Sequence, residues 1–159
     1  MPGADPLYYW DACMFISWLK DEQRVSGDMD GVREIIERHK KRDCRIMTSV
    51  ITTVEVLQST IPAGVDQMFA GLMKRVSRVG IDTKVAEMAH NIRNACKSSG
   101  VKLETPDALH LATAILHRAD EFHTFDDDLI RLNGNVGGNR LVICKPVAKR
   151  PQLDLRTPK

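Results

Sequence analysis

Aromatic residues are scarce: Phe, Trp and Tyr make up 5% of the 159-residue chain. That argues against a stacking platform for single-stranded nucleic acid, which needs rings facing successive bases. Charge of one sign is also lacking. Lys and Arg (23) nearly balance Asp and Glu (21), for a formal net charge of +2. Bulk charge therefore does not grip nucleic acid, and any such binding needs a local basic patch. No apolar run approaches the ~20 residues that span a bilayer, so no membrane association is expected. The N-terminus has no basic region followed by a long apolar stretch, so no signal peptide is expected either. Cys13, Cys44, Cys96 and Cys144 are far apart, with no CxxC or Cys/His pair at zinc spacing. Each lies in an apolar or helical stretch and reads as a small buried hydrophobe, which suits a reducing cytoplasm.

What is present is an alternation of short apolar runs with longer helical patterns. The run 7–10 reads as a buried first strand, and 12–19 as the start of a helix packed on it. Met29, Val32, Ile35 and Ile36 recur at helical spacing in a helix that Asp43 ends. Residues 44–48 form a second strand. Ser49 is a candidate N-cap for a helix over 50–58, in which Val50, Val54 and Leu57 share a face. Helices follow over 65–74 and from Asp82 or Thr83 to about Lys97, with Val85, Met88, Ala89, Ile92 and Cys96 inward. Residues 76–81 are open between a strand and an extended connection. Thr105 at N-cap and Pro106 at the first helical position predict a buried helix over 107–118. Short strands are expected at 121–124 and 141–144. This pattern predicts an α/β fold, a central parallel sheet flanked by α-helices on both sides. Residues 1–147 are expected to form one domain and 148–159 a basic, proline-containing tail.

Asp11, Glu55, Asp107 and the run Asp126, Asp127, Asp128 follow or open these apolar segments. Carboxylates there are costly unless a cation compensates them. In parallel sheets ligands bind beyond the carboxyl ends of the strands, so the topology lets Asp11, Glu55, Asp107 and Asp126 meet at one mouth. Oxygen-only ligands favour Mg²⁺ or Mn²⁺ over zinc. Within the aspartate run, a continued extended segment would turn Thr124, Asp126 and Asp128 one way and Asp127 the other. Asp126 is then the expected ligand and Asp128 a supporting or alternate one. Each acid alone has a plainer reading: a helix cap for Asp11, a dipole-favourable acid for Asp107, a surface residue for Glu55, a turn for the run.

The segments YYWDACMFI, SVITTVEVL and KLETPDALHLATAILHRADEFHTFDDDL carry a family resemblance over roughly residues 7–147. The chain resembles the PIN domain, and most closely the VapC-type toxin ribonucleases of toxin–antitoxin pairs. The resemblance implies a PIN fold and a Mg²⁺ or Mn²⁺ site at Asp11, Glu55, Asp107 and Asp126. Asp128 matches a further acid, and Thr124 a small hydroxyl residue that bonds a ligand carboxylate. It implies an endoribonuclease that cuts RNA with a metal-activated water, leaving a 5′-phosphate and a 3′-hydroxyl. It also implies a cognate antitoxin and a homodimer. The alternatives are a PIN-fold module that binds RNA or protein without cutting, and a PIN nuclease that is not a toxin. An aspartate-nucleophile phosphatase is disfavoured, because Cys13 stands where a second aspartate is wanted.

An acidic mouth repels a phosphate backbone, so basic residues must frame it. Arg33, Lys40, Lys41 and Arg93 are the candidates for RNA contact. His110 and His117 read as packing or surface residues, not general bases.

Overall fold

A computed structural model describes residues 4–20, 27–59 and 61–148. The elements run β1 (Leu7–Trp10), α1 (Ala12–Lys20), α2 (Asp28–Lys40), β2 (Arg45–Ser49), α3 (Ile51–Gln58), α4 (Asp66–Met73), β3 (Ser77–Val79), α5 (Thr83–Ser98), α6 (Thr105–Leu116), β4 (Glu121–His123), α7 (Asp127–Ile130) and β5 (Ile143–Cys144). The strands form one parallel sheet in the order β3-β2-β1-β4-β5. The register sets Leu7 beside Arg45 and Trp10 beside His123, which places β1 at the centre.

Successive β1 side chains point to opposite faces. Tyr8 and Trp10 join Phe15, Val32, Ile36 and Phe69 in one core layer under α1, α2 and α4. Tyr9 joins Ile92, Leu111 and Phe122 in the other, under α5 and α6. The sheet is thus buried on both faces, as β1's continuous apolar run requires. None of the described helices is long and apolar enough to cross a membrane.

Several boundaries differ from the sequence reading. The helix expected to end at Asp43 stops at Lys40, because Arg42 adopts φ 65° and returns the Asp43 amide to the Arg38 carbonyl at 2.8 Å. Such a left-handed residue closes a helix by satisfying its last carbonyls. The Asp107 helix begins at Thr105, and extended Glu104 rather than Thr105 is its cap; the Glu104 carbonyl accepts the Ala108 amide at 3.0 Å. Ser49 acts one position early, its hydroxyl accepting the Ile51 amide at 3.3 Å, and Val50 occupies the cap position. The open segment 76–81 holds the edge strand β3. The face shared by Val50, Val54 and Leu57 looks outward: they are 43%, 55% and 58% exposed. Thr52 and Val56 take the inner side, where the Thr48 and Thr52 hydroxyls bond at 2.6 Å. All but Ala148 of the expected tail lies outside the described residues.

The segment after β5 crosses α2 at Gly31. A Cβ there would overlap the Pro146 carbonyl oxygen, and Lys145 Nζ reaches Asp28 Oδ2 at 3.3 Å on the same helix. Gly31→Ala is therefore expected to destabilise the fold by ~1–3 kcal/mol, the range for overpacking a closed contact. The urea midpoint measures this; a wild-type midpoint would mean that residues 145–147 do not seat on α2.

Candidate active site

β1 ends at Trp10 and α1 begins at Ala12, so Asp11 is the single residue between them. It lies at the carboxyl edge of the central strand and is only 6% exposed. The neighbouring strand β4 ends at His123 and delivers Thr124 and Asp126 to the same edge. Here the strand order reverses: the chain builds β2 and β3 on one side of β1, then β4 and β5 on the other. Open parallel sheets form their ligand crevice at such a switch point. α6 supplies Asp107 from its first turn and α3 supplies Glu55.

Asp11, Glu55, Asp107 and Asp126 line one cleft of about 410 Å³, together with Ala12, Cys13, Ile16, Gln58 and His110. Their charges act on one another. Burial, then the carboxylates of Asp11 and Asp126, push Asp107 up from 3.8 to about 6, with Glu55 adding and His110 opposing. Burial also raises Asp11, against the Cys13 thiol, the His110 ring, the Thr124 hydroxyl and the Met14 amide. Among the described residues no Lys or Arg lines this cleft. An oxygen-rich donor set without a protein cation fits a hard divalent ion such as Mg²⁺ or Mn²⁺, which would relieve the mutual repulsion.

The sequence profile of the PIN domain matches residues 8–135, a span that contains every acid of the cleft. The chain belongs to the PIN domain family. No curated protein sequence matches it. Solved structures share its fold. VapBC2 from Rickettsia felis, bound to a DNA fragment from its promoter, aligns at TM-score 0.65 and 15% identity, covering 86% of this chain and 96% of that one. DNA-bound VapBC from Salmonella typhimurium aligns at 0.63 and 18%, covering 87% and 98%. A toxin–antitoxin complex from Klebsiella pneumoniae aligns at 0.59 and 22%, covering 87% and 97%.

In this PIN domain Thr124 is fully buried; its hydroxyl lies 3.4 Å from Cys13 Sγ and accepts the Asp126 amide at 3.1 Å, and it opposes the rise of the Asp11 pKa. Asp126 caps α7, its Oδ1 accepting the Asp128 amide at 2.9 Å. Asp128 itself turns away and pairs with Arg131 at 2.7 Å on the surface. The period-two reading of the aspartate run fails at Asp128, because Asp126 is the last extended residue and α7 begins at Asp127.

The basic candidates lie elsewhere. Arg33 pairs with Asp30 at 3.7 Å and Lys40 with Glu37 at 3.4 Å. Lys40 also lines a cleft of about 470 Å³ with Arg42, Arg45 and Arg75, at the amino end of β2 and so opposite the acids. Lys41 is exposed. Arg93 donates to the Leu103 carbonyl at 2.9 Å and lines a third cleft with Lys97 and Lys102. These basic clefts are larger than the acidic one, but only the acidic one lies at the switch point with converging carboxylates.

Two residues of the cleft escaped the sequence reading. Cys13, taken as a buried hydrophobe, donates its thiol hydrogen to Asp11 Oδ1 at 2.8 Å. His110, taken as packing, is 1% exposed and has both ring nitrogens bonded, to Tyr9 Oη and to Glu55 Oε1, each at 2.6 Å. The three-residue offset between Asp107 and His110, which places them on one helix face, was the available signal.

A second donor cluster lies beside Tyr8 and Trp10. The ligand atoms of Glu121, His123 and Cys144 lie within 4.8 Å of one another. The Trp10 indole, which can only donate, gives its hydrogen to His123 Nδ1 at 3.0 Å. Nε2 therefore carries the ring proton and donates it to Glu121 Oε1 at 2.9 Å. Burial, then Glu121, push the Cys144 thiol up to about 12. With the His123 Nδ1 lone pair taken by the Trp10 indole and Nε2–H given to Glu121, the cluster forms a hydrogen-bonded knot between β4 and β5.

Proposed function

We propose that this PIN domain is a metal-dependent endoribonuclease, the toxin of a toxin–antitoxin pair. The observation that carries the reading is the convergence of Asp11, Glu55, Asp107 and Asp126 on one cleft, where burial and the neighbouring carboxylates raise Asp107 to about 6. In this reading these four residues hold Mg²⁺ or Mn²⁺. When bound, such an ion supplies Lewis acidity toward the phosphate and a nucleophilic water at neutral pH. The chain's own groups hold the carboxylates in place: Thr124 and Cys13 orient Asp11, and the α7 amide of Asp128 orients Asp126. Burial of Asp11 limits competing water. The reaction is hydrolysis of an RNA phosphodiester to a 5′-phosphate and a 3′-hydroxyl.

The neighbouring structures are VapBC and toxin–antitoxin complexes, which supports an antitoxin as partner and the cytoplasm as location. Purified protein incubated with RNA tests the function. Discrete products are expected with Mg²⁺ or Mn²⁺ and none with EDTA. A folded, antitoxin-free protein that binds RNA without cutting it would establish the binding module instead.

A homodimer completes the reading. Val54 and Leu57 flank Glu55 on the exposed side of α3 and offer apolar surface for a second copy. The double variant Val54→Lys, Leu57→Lys is expected to run as a monomer by light scattering, where the wild type runs as a dimer. An unchanged mass would remove α3 from the interface.

A further inference from the structure

We infer that His110 is a positioning residue for this site, fixing the Glu55 carboxylate through a directed hydrogen-bond chain from Tyr9. The inference rests on the proposed metal-dependent nuclease. Its basis is a short chain of contacts: Tyr9 Oη to His110 Nδ1 at 2.6 Å, then His110 Nε2 to Glu55 Oε1 at 2.6 Å.

The direction follows from the chemistry of the ends. An ionised carboxylate only accepts, so Nε2 carries the ring proton and donates it to Glu55. In the neutral ring Nδ1 then accepts, and the Tyr9 hydroxyl donates. Both ring nitrogens are satisfied, which is what allows a histidine to be 1% exposed.

Glu55 needs such a tether. It stands on α3, a helix of 8 residues with no side-chain N-cap and an exposed outer face. A helix this short has little intrinsic stability, so tertiary contacts must hold it. His110 stands one turn beyond Asp107 on α6, and Tyr9 two residues before Asp11 on β1. The imidazole therefore ties together the elements that carry Asp11, Asp107 and Glu55. α6 delivers one acid directly and sets a second through His110. Partners that orient metal-binding side chains typically change affinity or activity by about 10–100-fold when lost.

The test uses His110→Ala, His110→Gln and the wild type, with Mn²⁺ binding measured without RNA and cleavage measured separately. His110→Ala is expected to weaken Mn²⁺ binding and lower kcat by about 10–100-fold. His110→Gln, whose amide can donate to Glu55, is expected to recover most of both. Nitrogen NMR of the wild-type ring is expected to show the proton on Nε2. Wild-type Mn²⁺ affinity in His110→Ala would overturn the inference alone. So would equal losses in Ala and Gln, because they would reduce His110 to packing. A wild type that binds no Mn²⁺ and cuts no RNA would overturn the functional reading, and this inference with it.

Discussion

Asp11→Asn is expected to abolish RNA cleavage, by at least about three orders of magnitude, while the protein stays folded. The size of the effect follows from position. Asp11 is the innermost of the acids, buried at the carboxyl edge of the central strand. No neighbouring carboxylate replaces it: Asp128 points away toward Arg131, and Asp126 is committed to its own cap. Losing one preorganised electrostatic contact in an active site commonly costs about 10²–10³ in rate, and a missing ligand also weakens metal loading. The fold survives because Asn keeps the shape and its Oδ1 can still accept from the Cys13 thiol. It should even gain. Burial raises the pKa of Asp11, so its charge is a liability in the metal-free protein. The variant is expected to melt above the metal-free wild type. Cleavage of RNA at the wild-type rate by Asp11→Asn would sink the mechanism, and a lower melting temperature would sink the account of the buried charge.

The second large effect is a metal- and pH-dependent change in stability. Asp107 has a folded-state pKa of about 6 against 3.8 for the unconstrained side chain. Between those values the folded chain holds more protons than the unfolded one, so stability falls as pH rises. The contribution is fully present below the unfolded pKa and is lost as pH passes through about 6. Raised Asp11 acts in the same direction. At pH 7.5 the metal-free cleft is charged and strained, and Mn²⁺ relieves it. An ion at 100 times its dissociation constant adds about 2.7 kcal/mol. For a domain of this size that corresponds to a rise of about 5–10 °C in Tm. Near pH 5 a proton occupies Asp107 and the rise should shrink. Melting curves at both pH values, with Mn²⁺ and with EDTA, read this out. Asp107→Asn should flatten the pH dependence of the metal-free protein. A metal shift of equal size at both pH values would contradict the coupling.

Much of the architecture was legible in the residues. The apolar run before Asp11, the inward stripe of Val85, Ala89, Ile92 and Cys96, and the Thr105–Pro106 helix start each carry their own local signal. Other features stay open where a local pattern is compatible with two environments. Val50, Val54 and Leu57 share a face, as their spacing says, but spacing does not say which side meets the sheet. The buried Thr48–Thr52 bond decides that, and a threonine pair gives no hydrophobic signal. The aspartate run is compatible with period two as far as Asp126, and the turn into α7 at Asp127 depends on packing beyond the run. His110 looked like packing because its partners are far away in the chain.

By itself the sequence determined the alternation of strands and helices, the parallel sheet, and the candidate acids that end or open those elements. These depend on periodicity and caps, which act over a few residues. Only the tertiary structure decided which groups share a cleft. The strand order β3-β2-β1-β4-β5 puts Asp11 beside Asp126. Contacts across 101 and 55 residues join Tyr9 to His110 and His110 to Glu55. The same packing turns Asp128 and the basic candidates away from the acids. Burial and mutual repulsion of carboxylates arise only once the chain has brought them together, so the raised pKa of Asp107 is a property of the fold.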